Sequence, residues 1–306
     1  MKIVIVGIGG VGGIIGGKLA RHDSGNVNFF CRGKTLEKIV SRGLELRSNN
    51  DVSLVHPFIA TDSPHVIGKA DAVIYAVKNY NVESAAGETA PMIGKETVII
   101  PLLNGLEAER KLRNIFSESQ VLGGCIYVSA FVVSPGVVQQ NGNMLKVLFG
   151  NSSFPQDENL RRYSEILNIF NAAGINTVLT SQIENEMWIK FIMISSLAAA
   201  TSVYMRNVGE LLKDKESAEL FKGLVHEIVA VAKSSGVTLP ENIEEETLTK
   251  SHSFVPETKT SMQLDFERGN INELEALVGY VCHEAKKLGV KAALYDKVYN
   301  ELRSGS

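Results

Sequence analysis

The sequence predicts a two-part α/β protein, a parallel sheet with helices on both faces followed by an all-helical half. Three observations carry that prediction. An apolar, β-branched run at residues 2–6 leads directly into Gly7, Gly9 and Gly12. Strand and helix patterns then alternate through the first half, the arrangement that builds a parallel sheet. From Asn159 onward, helical periodicity dominates and strand signals nearly vanish.

Taken in order, residues 2–6 read as a buried strand, too short and too apolar for a surface helix. Gly7, Gly9, Gly10 and Gly12 follow with G-x-G-x-x-G spacing, and a helix-compatible run continues to His22. In such a loop the first glycine permits a tight turn, the second a close approach to a pyrophosphate, and the third close helix–strand packing. The helix N-terminus offers unpaired N–H groups to the phosphates. A Rossmann-type dinucleotide site is the expectation. Strands are expected at 27–31, 44–46, 52–55, 71–77 and 97–101, with helices at 34–41, 63–68, 82–92 and 106–116. Residues 121–133, 137–140 and 145–149 then read as a strand meander added to the sheet edge. Its turns are expected at Pro135-Gly136 and Asn141-Gly142.

In the second half, Leu220, Phe221, Leu224, Val225, Ile228, Val229 and Ala232 recur at helical spacing. Residues 271–288 repeat the pattern after Gly269, a glycine suited to a helix C-cap. At ~100–200 residues per domain, 306 residues suggest two domains. The expected boundaries are 1–178 for the nucleotide domain and 179–306 for the helical one, with a catalytic cleft between them.

Composition excludes several classes. Hydrophobic residues make up 44% and charged residues 21%, enough for a real core. A net charge of −3 gives no broad basic surface, which argues against nucleic acid as a partner. The six histidines lack ligand spacing, so no metal site is expected. Cys31, Cys125 and Cys282 are odd in number and far apart, as suits a reducing compartment. The first strand is read as beginning at residue 2, so no leader is expected. The apolar run at 191–205 is shorter than the ~18–20 residues of a membrane span. A cytoplasmic protein that uses no membrane is the expectation. The helical half could supply a homodimer interface.

The end of the second strand selects the nucleotide. An acidic residue there binds the ribose 2′-hydroxyl of NAD. This chain has Arg32 and Lys34 instead. A guanidinium suits a 2′-phosphate, so NADP(H) is the expected cofactor.

The chain resembles the ketopantoate reductase (2-dehydropantoate 2-reductase) family along essentially its whole length. The resemblance lies in the GIGGVG loop, the FCRG after the second strand, Val77-Lys78, the LLNG ending in Asn104-Gly105, the Trp188-x-Lys190 pair, and TSMQLDFERGNINELEAL. It implies NADPH-dependent reduction of ketopantoate to pantoate, in pantothenate and coenzyme A synthesis. It also implies Lys190 as general acid, Glu273 holding substrate and lysine, Asn104 and Ser261 binding substrate or cofactor, and Lys78 near nicotinamide and substrate carboxylate.

The residues add their own arguments. Lys190 is the last charge before the apolar run, where lost hydration would lower its pKa; pairing with Glu186 is the competing reading. Lys78 and Asn104 each follow a buried parallel strand, the end at which such sheets bind ligands. Asn272 and Glu275 have capping-box spacing, which would leave Glu273 to face a cleft. The chain departs from the family where asparagines usually stand four and eight residues after the lysine. Here those positions are Ile194 and Ala198. Ser195 lies about 140° around the helix and is a poor replacement. The alternatives are therefore a reductase of a less polar 2-oxo acid, or a non-catalytic NADPH-binding regulatory protein.

Overall fold

The computed structural model describes residues 1–48, 51–117 and 120–304. It divides into two compact units. Met1–Leu103 and Glu107–Ile183 form the first; Asn104–Leu106 and the chain from Glu184 onward form the second. The sequence reading placed the division at 178/179. The division lies a few residues later because residues 176–179 form a strand of the first unit.

The first unit runs β1 (Ile3–Val6), α1 (Gly10–His22), β2 (Val27–Phe30), α2 (Gly33–Arg42), β3 (Leu44–Ser48), β4 (Asp51–Val55), β5 (Ile59–Thr61), α3 (Pro64–Ile67), β6 (Ala70–Tyr75), α4 (Val82–Thr89), β7 (Ile93–Pro101), α5 (Glu107–Arg113), β8 (Gly123–Ser134), β9 (Val137–Gly150), α6 (Gln156–Ala172) and β10 (Asn176–Leu179). Five strands in the order β5-β2-β1-β6-β7 form an all-parallel sheet. β1 lies at its centre and is buried on both faces. Ile3 and Ile5 join one core with Ile14, Leu19 and Phe29, while Val4 and Val6 join another with Val73, Tyr75 and Ala86. Each such side chain contributes ~1.5–3 kcal/mol by leaving water. That is why the run has no polar alternation.

The meander corrects the sequence reading. It does not extend the parallel sheet. β8 and β9 form a long antiparallel pair in a second sheet, ordered β10-β9-β3-β4 with β8 on β9. Among the described residues, an isolated bridge, Ile99 to Val121, links the start of this segment to β7. The expected turn at Asn141-Gly142 is an irregularity within β9: Val128 pairs with Leu145 and Ser129 with Asn141, so three residues are skipped.

The second sheet also explains the glycines of α1. A Cβ on Gly16 would lie 2.8 Å from Phe29 in the first sheet. One on Gly13 or Gly17 would lie 2.5 Å from Val138 or Leu46 in the second. α1 is a thin helix packed between two sheets, and side chains on those faces would force them apart.

The second unit comprises α7 (Ile183–Tyr204), α8 (Val208–Lys213), α9 (Lys215–Ser234), α10 (Ile243–Ser251), α11 (Ser261–Glu267), a π-turn (Glu275–Gly279) that leads into α12 (Tyr280–Leu288), and α13 (Ala293–Ser304). α7 is long and apolar enough to pass for a membrane span, but 67% of its most apolar window is buried inside the protein. Trp188, Phe191 and Tyr280 pack as an aromatic trio, with Phe191 and Tyr280 edge-to-face at 5.5 Å. Leu224, Ile228, Val281 and Val298 continue that core.

Candidate active site

In the first unit, the loop between β1 and α1 has the shape the spacing predicts. Gly7 has φ +89°, a left-handed turn, and its N–H closes on the Phe30 carbonyl at 3.0 Å. A Cβ on Gly12 would lie 2.0 Å from the Gly7 carbonyl oxygen, so helix and strand meet there as closely as backbones can. Gly10 also meets a packing demand. A Cβ there would lie 2.4 Å from the Ala130 carbonyl oxygen of β8, so packing alone requires glycine. Gly9 faces open space, with no atom within 4 Å of where a Cβ would stand. It caps α1 without any side-chain hydrogen bond, and the first turn has no acidic residue. An open glycine cradle at an uncapped helix N-terminus fits a pyrophosphate.

Arg32 stands where β2 ends, as expected. Its side chain is 67% exposed and contacts Glu88 at 3.3 Å. Such an exposed pair is worth ~0–1 kcal/mol, so a stronger anion can displace Glu88. Lys78 follows the carboxyl end of β6 and is half-buried, and its carbonyl accepts the Asn81 N–H at 2.9 Å.

In the second unit, the structure brings together residues 86 positions apart. Lys190 Nζ donates to Asn104 Oδ1 at 3.0 Å. Lys190 is only 9% exposed. A planar amide that accepts one N–H of an ammonium fixes where the charge sits. Glu273 is also buried, at 4% exposure. Its carbonyl accepts the Leu277 N–H at 3.0 Å. The capping box expected around it does not form. Asn272 Oδ1 accepts the Leu274 N–H at 3.0 Å, and Glu275 accepts instead from the Tyr299 hydroxyl. Ser261 lies exposed at the first position of α11.

Sequence reasoning missed what seats Ser261. Thr260 caps α11 by accepting the Gln263 N–H at 3.3 Å, and its hydroxyl meets that of Thr201 at 2.8 Å. Thr201 stands on α7, eleven residues after Lys190. Between them on that face lie Ile194, half-buried, and Ala198, 3% exposed. Only a T-S-M start to a short helix hinted at the cap.

A glycine-cradled nucleotide domain joined to a helical unit with a buried, amide-held lysine defines a pyridine-nucleotide-dependent oxidoreductase. The chain belongs to the ketopantoate reductase family: the pattern described as ketopantoate reductase PanE/ApbA matches residues 3–153, and its C-terminal counterpart matches residues 182–305. It is 31% identical over 304 residues to "Uncharacterized oxidoreductase YkpB" of Bacillus subtilis (strain 168), covering 99% of this chain and 98% of that protein. The crystal structure of 2-dehydropantoate 2-reductase from Porphyromonas gingivalis W83 matches at TM-score 0.85 and 28% identity, covering 99% of each chain. A ternary structure of D-mandelate dehydrogenase with NADH and anilino(oxo)acetate has the same fold, at TM-score 0.89 and 20% identity, covering 100% of this chain and 98% of that one.

Proposed function

We propose that this protein reduces a 2-oxo acid to the 2-hydroxy acid with NADPH, and that the acid is ketopantoate, giving pantoate for pantothenate and coenzyme A synthesis. The observation that carries the reading is the nearly buried Lys190 ammonium held by Asn104 at 3.0 Å. Gly9 and the first turn of α1 would hold the pyrophosphate, and Arg32 the 2′-phosphate. Bound nicotinamide supplies the hydride. Lys190 hydrogen-bonds the substrate's carbonyl oxygen, gives it a proton as negative charge develops, and is reprotonated by water. Asn104 keeps the ammonium aimed. Glu273 orients substrate and lysine. Lys78 and Ser261 bind the substrate's carboxylate and polar groups. On this reading the enzyme is cytoplasmic and acts on a small molecule without nucleic acid or membrane. The helical unit is where a homodimer contact would form.

A second reading has its own observation. Ile194 and Ala198 make the helix face below Lys190 apolar, which favours a 2-oxo acid less polar than ketopantoate. A steady-state comparison separates the two. Purified protein is given NADPH with ketopantoate and with branched or aromatic 2-oxo acids. The first reading expects the highest kcat/KM for ketopantoate. Preference for an apolar acid by tenfold or more selects the second. NADPH binding without turnover of any acid would identify a regulatory protein and contradict both.

A further inference from the structure

By helical spacing Ser195 points away from Lys190. The structure shows what it points at. Its hydroxyl donates to the carbonyl of Leu277 at 2.7 Å, in the middle of the π-turn. The N–H of the same residue donates to the carbonyl of Glu273 at 3.0 Å. Two consecutive hydrogen bonds therefore run from α7, five residues beyond Lys190, to the backbone of Glu273.

The protons can be assigned. Ser195 donates to Leu277, and Ser196 donates to the Ile192 carbonyl at 2.8 Å. Both serines have then used their single proton. That leaves the Tyr295 hydroxyl as a donor toward the serines, with Ser195 Oγ at 2.8 Å the nearer acceptor and Ser196 Oγ at 3.3 Å. Tyr295 is fixed in turn, because Glu227 accepts the Leu294 and Tyr295 N–H groups at 2.9 to 3.0 Å and caps α13. Ser195, Ser196 and Tyr295 are fully buried, so none of these bonds competes with water.

The π-turn is itself specified. A Cβ on Gly279 would stand 2.6 Å from the Glu275 carboxylate, and that carboxylate accepts from Tyr299. A π-turn shifts the helical register by one residue, and such turns recur at functional sites. This one begins two residues after Glu273.

Building on the proposed function, we infer that Ser195, held by Tyr295, is a positioning residue. It clamps the π-turn at Leu277 and thereby sets the place of the Glu273 carboxylate relative to the helix that bears Lys190. A serine that merely satisfies the core would affect stability alone.

A double-mutant cycle on kcat/KM separates these roles, with NADPH affinity and thermal midpoint measured in parallel. The substrate probe is the best-turned-over acid of the panel above. Ser195→Ala is expected to lower kcat/KM about tenfold, the size of one lost buried hydrogen bond, with NADPH affinity unchanged within about twofold. In a Glu273→Gln background the same substitution is expected to have no further effect. Tyr295→Phe keeps the ring in the core and removes only the orienting hydroxyl. It is expected to show a smaller loss with the same dependence on Glu273, and it carries the test if Ser195→Ala does not fold. Equal losses in both backgrounds, or a lowered thermal midpoint with unchanged kcat/KM, would overturn the inference and leave the role of Glu273 intact. An unimpaired Glu273→Gln single variant would instead overturn the role given to Glu273, and the inference with it.

Discussion

At the scale of single residues, the role proposed for Arg32 is argued from position alone. Nothing in its composition distinguishes it from the chain's other cations. Its place at the end of β2 does. The Glu88 contact shows a guanidinium already accepting an anion there, in a pair weak enough to be displaced. Replacing it, Arg32→Glu, should reduce the NADPH-over-NADH preference in kcat/KM by about tenfold or more, since the charge-assisted contact proposed to the 2′-phosphate would be lost. An unchanged ratio would remove Arg32 from the site. The cysteines give a second residue-scale expectation. Burial pushes the thiols of Cys31 and Cys282 up to about 12, with nearby Asp62 and Asp296 adding to the effect. A raised thiol pKa leaves only about one part in 10⁴ as thiolate at pH 8. Alkylation at pH 8 should therefore be negligible in the native protein, rise toward alkaline pH, and reach all three thiols in denaturant. Rapid native labelling would show that these side chains are not buried as described.

At the scale of elements, legibility followed burial. β1, β6 and the 97–101 part of β7 are evident because strands covered on both faces need apolar runs, whereas residues 93–96 of β7, with Lys95 and Glu96 exposed, give no such signal. β5 and β10 carry no such signal. Each is only three or four residues long with no distinctive pattern, and each is a strand because a neighbour offers a free edge. The second sheet was misassigned for the same reason: alternation identifies β8 and β9 as strands but does not say which edge they join. The end of α7 shows strain that sequence hides. Met205 adopts φ +49°, the left-handed conformation usual for glycine, while the Arg206 N–H reaches back to the Thr201 carbonyl at 3.2 Å. Met205→Gly should relieve that strain and raise stability by about 0.5–1 kcal/mol, seen as a higher urea midpoint. A fall would mean that the exposed methionine side chain contributes more than its backbone costs.

At the scale of the whole molecule, the two units differ in how much of their role the sequence disclosed. The glycine loop is readable because its spacing is local, contained in a dozen consecutive residues. The Lys190–Asn104 pair is not, because tertiary packing joins two residues 86 positions apart. The resemblance supplied those names, and the structure supplied the Lys190–Asn104 bond. The clamp from Tyr295 through Ser195 to Leu277 spans 100 residues of sequence and has no local signature at all. The proposed reaction depends above all on Lys190 as the proton donor. The direct test compares wild type with Lys190→Ala, measuring NADPH oxidation with the preferred 2-oxo acid alongside NADPH affinity. A general acid contributes ~10²–10⁴-fold, so kcat should fall by at least about a hundredfold while NADPH binding is unchanged. A kcat within a few-fold of wild type would contradict the account.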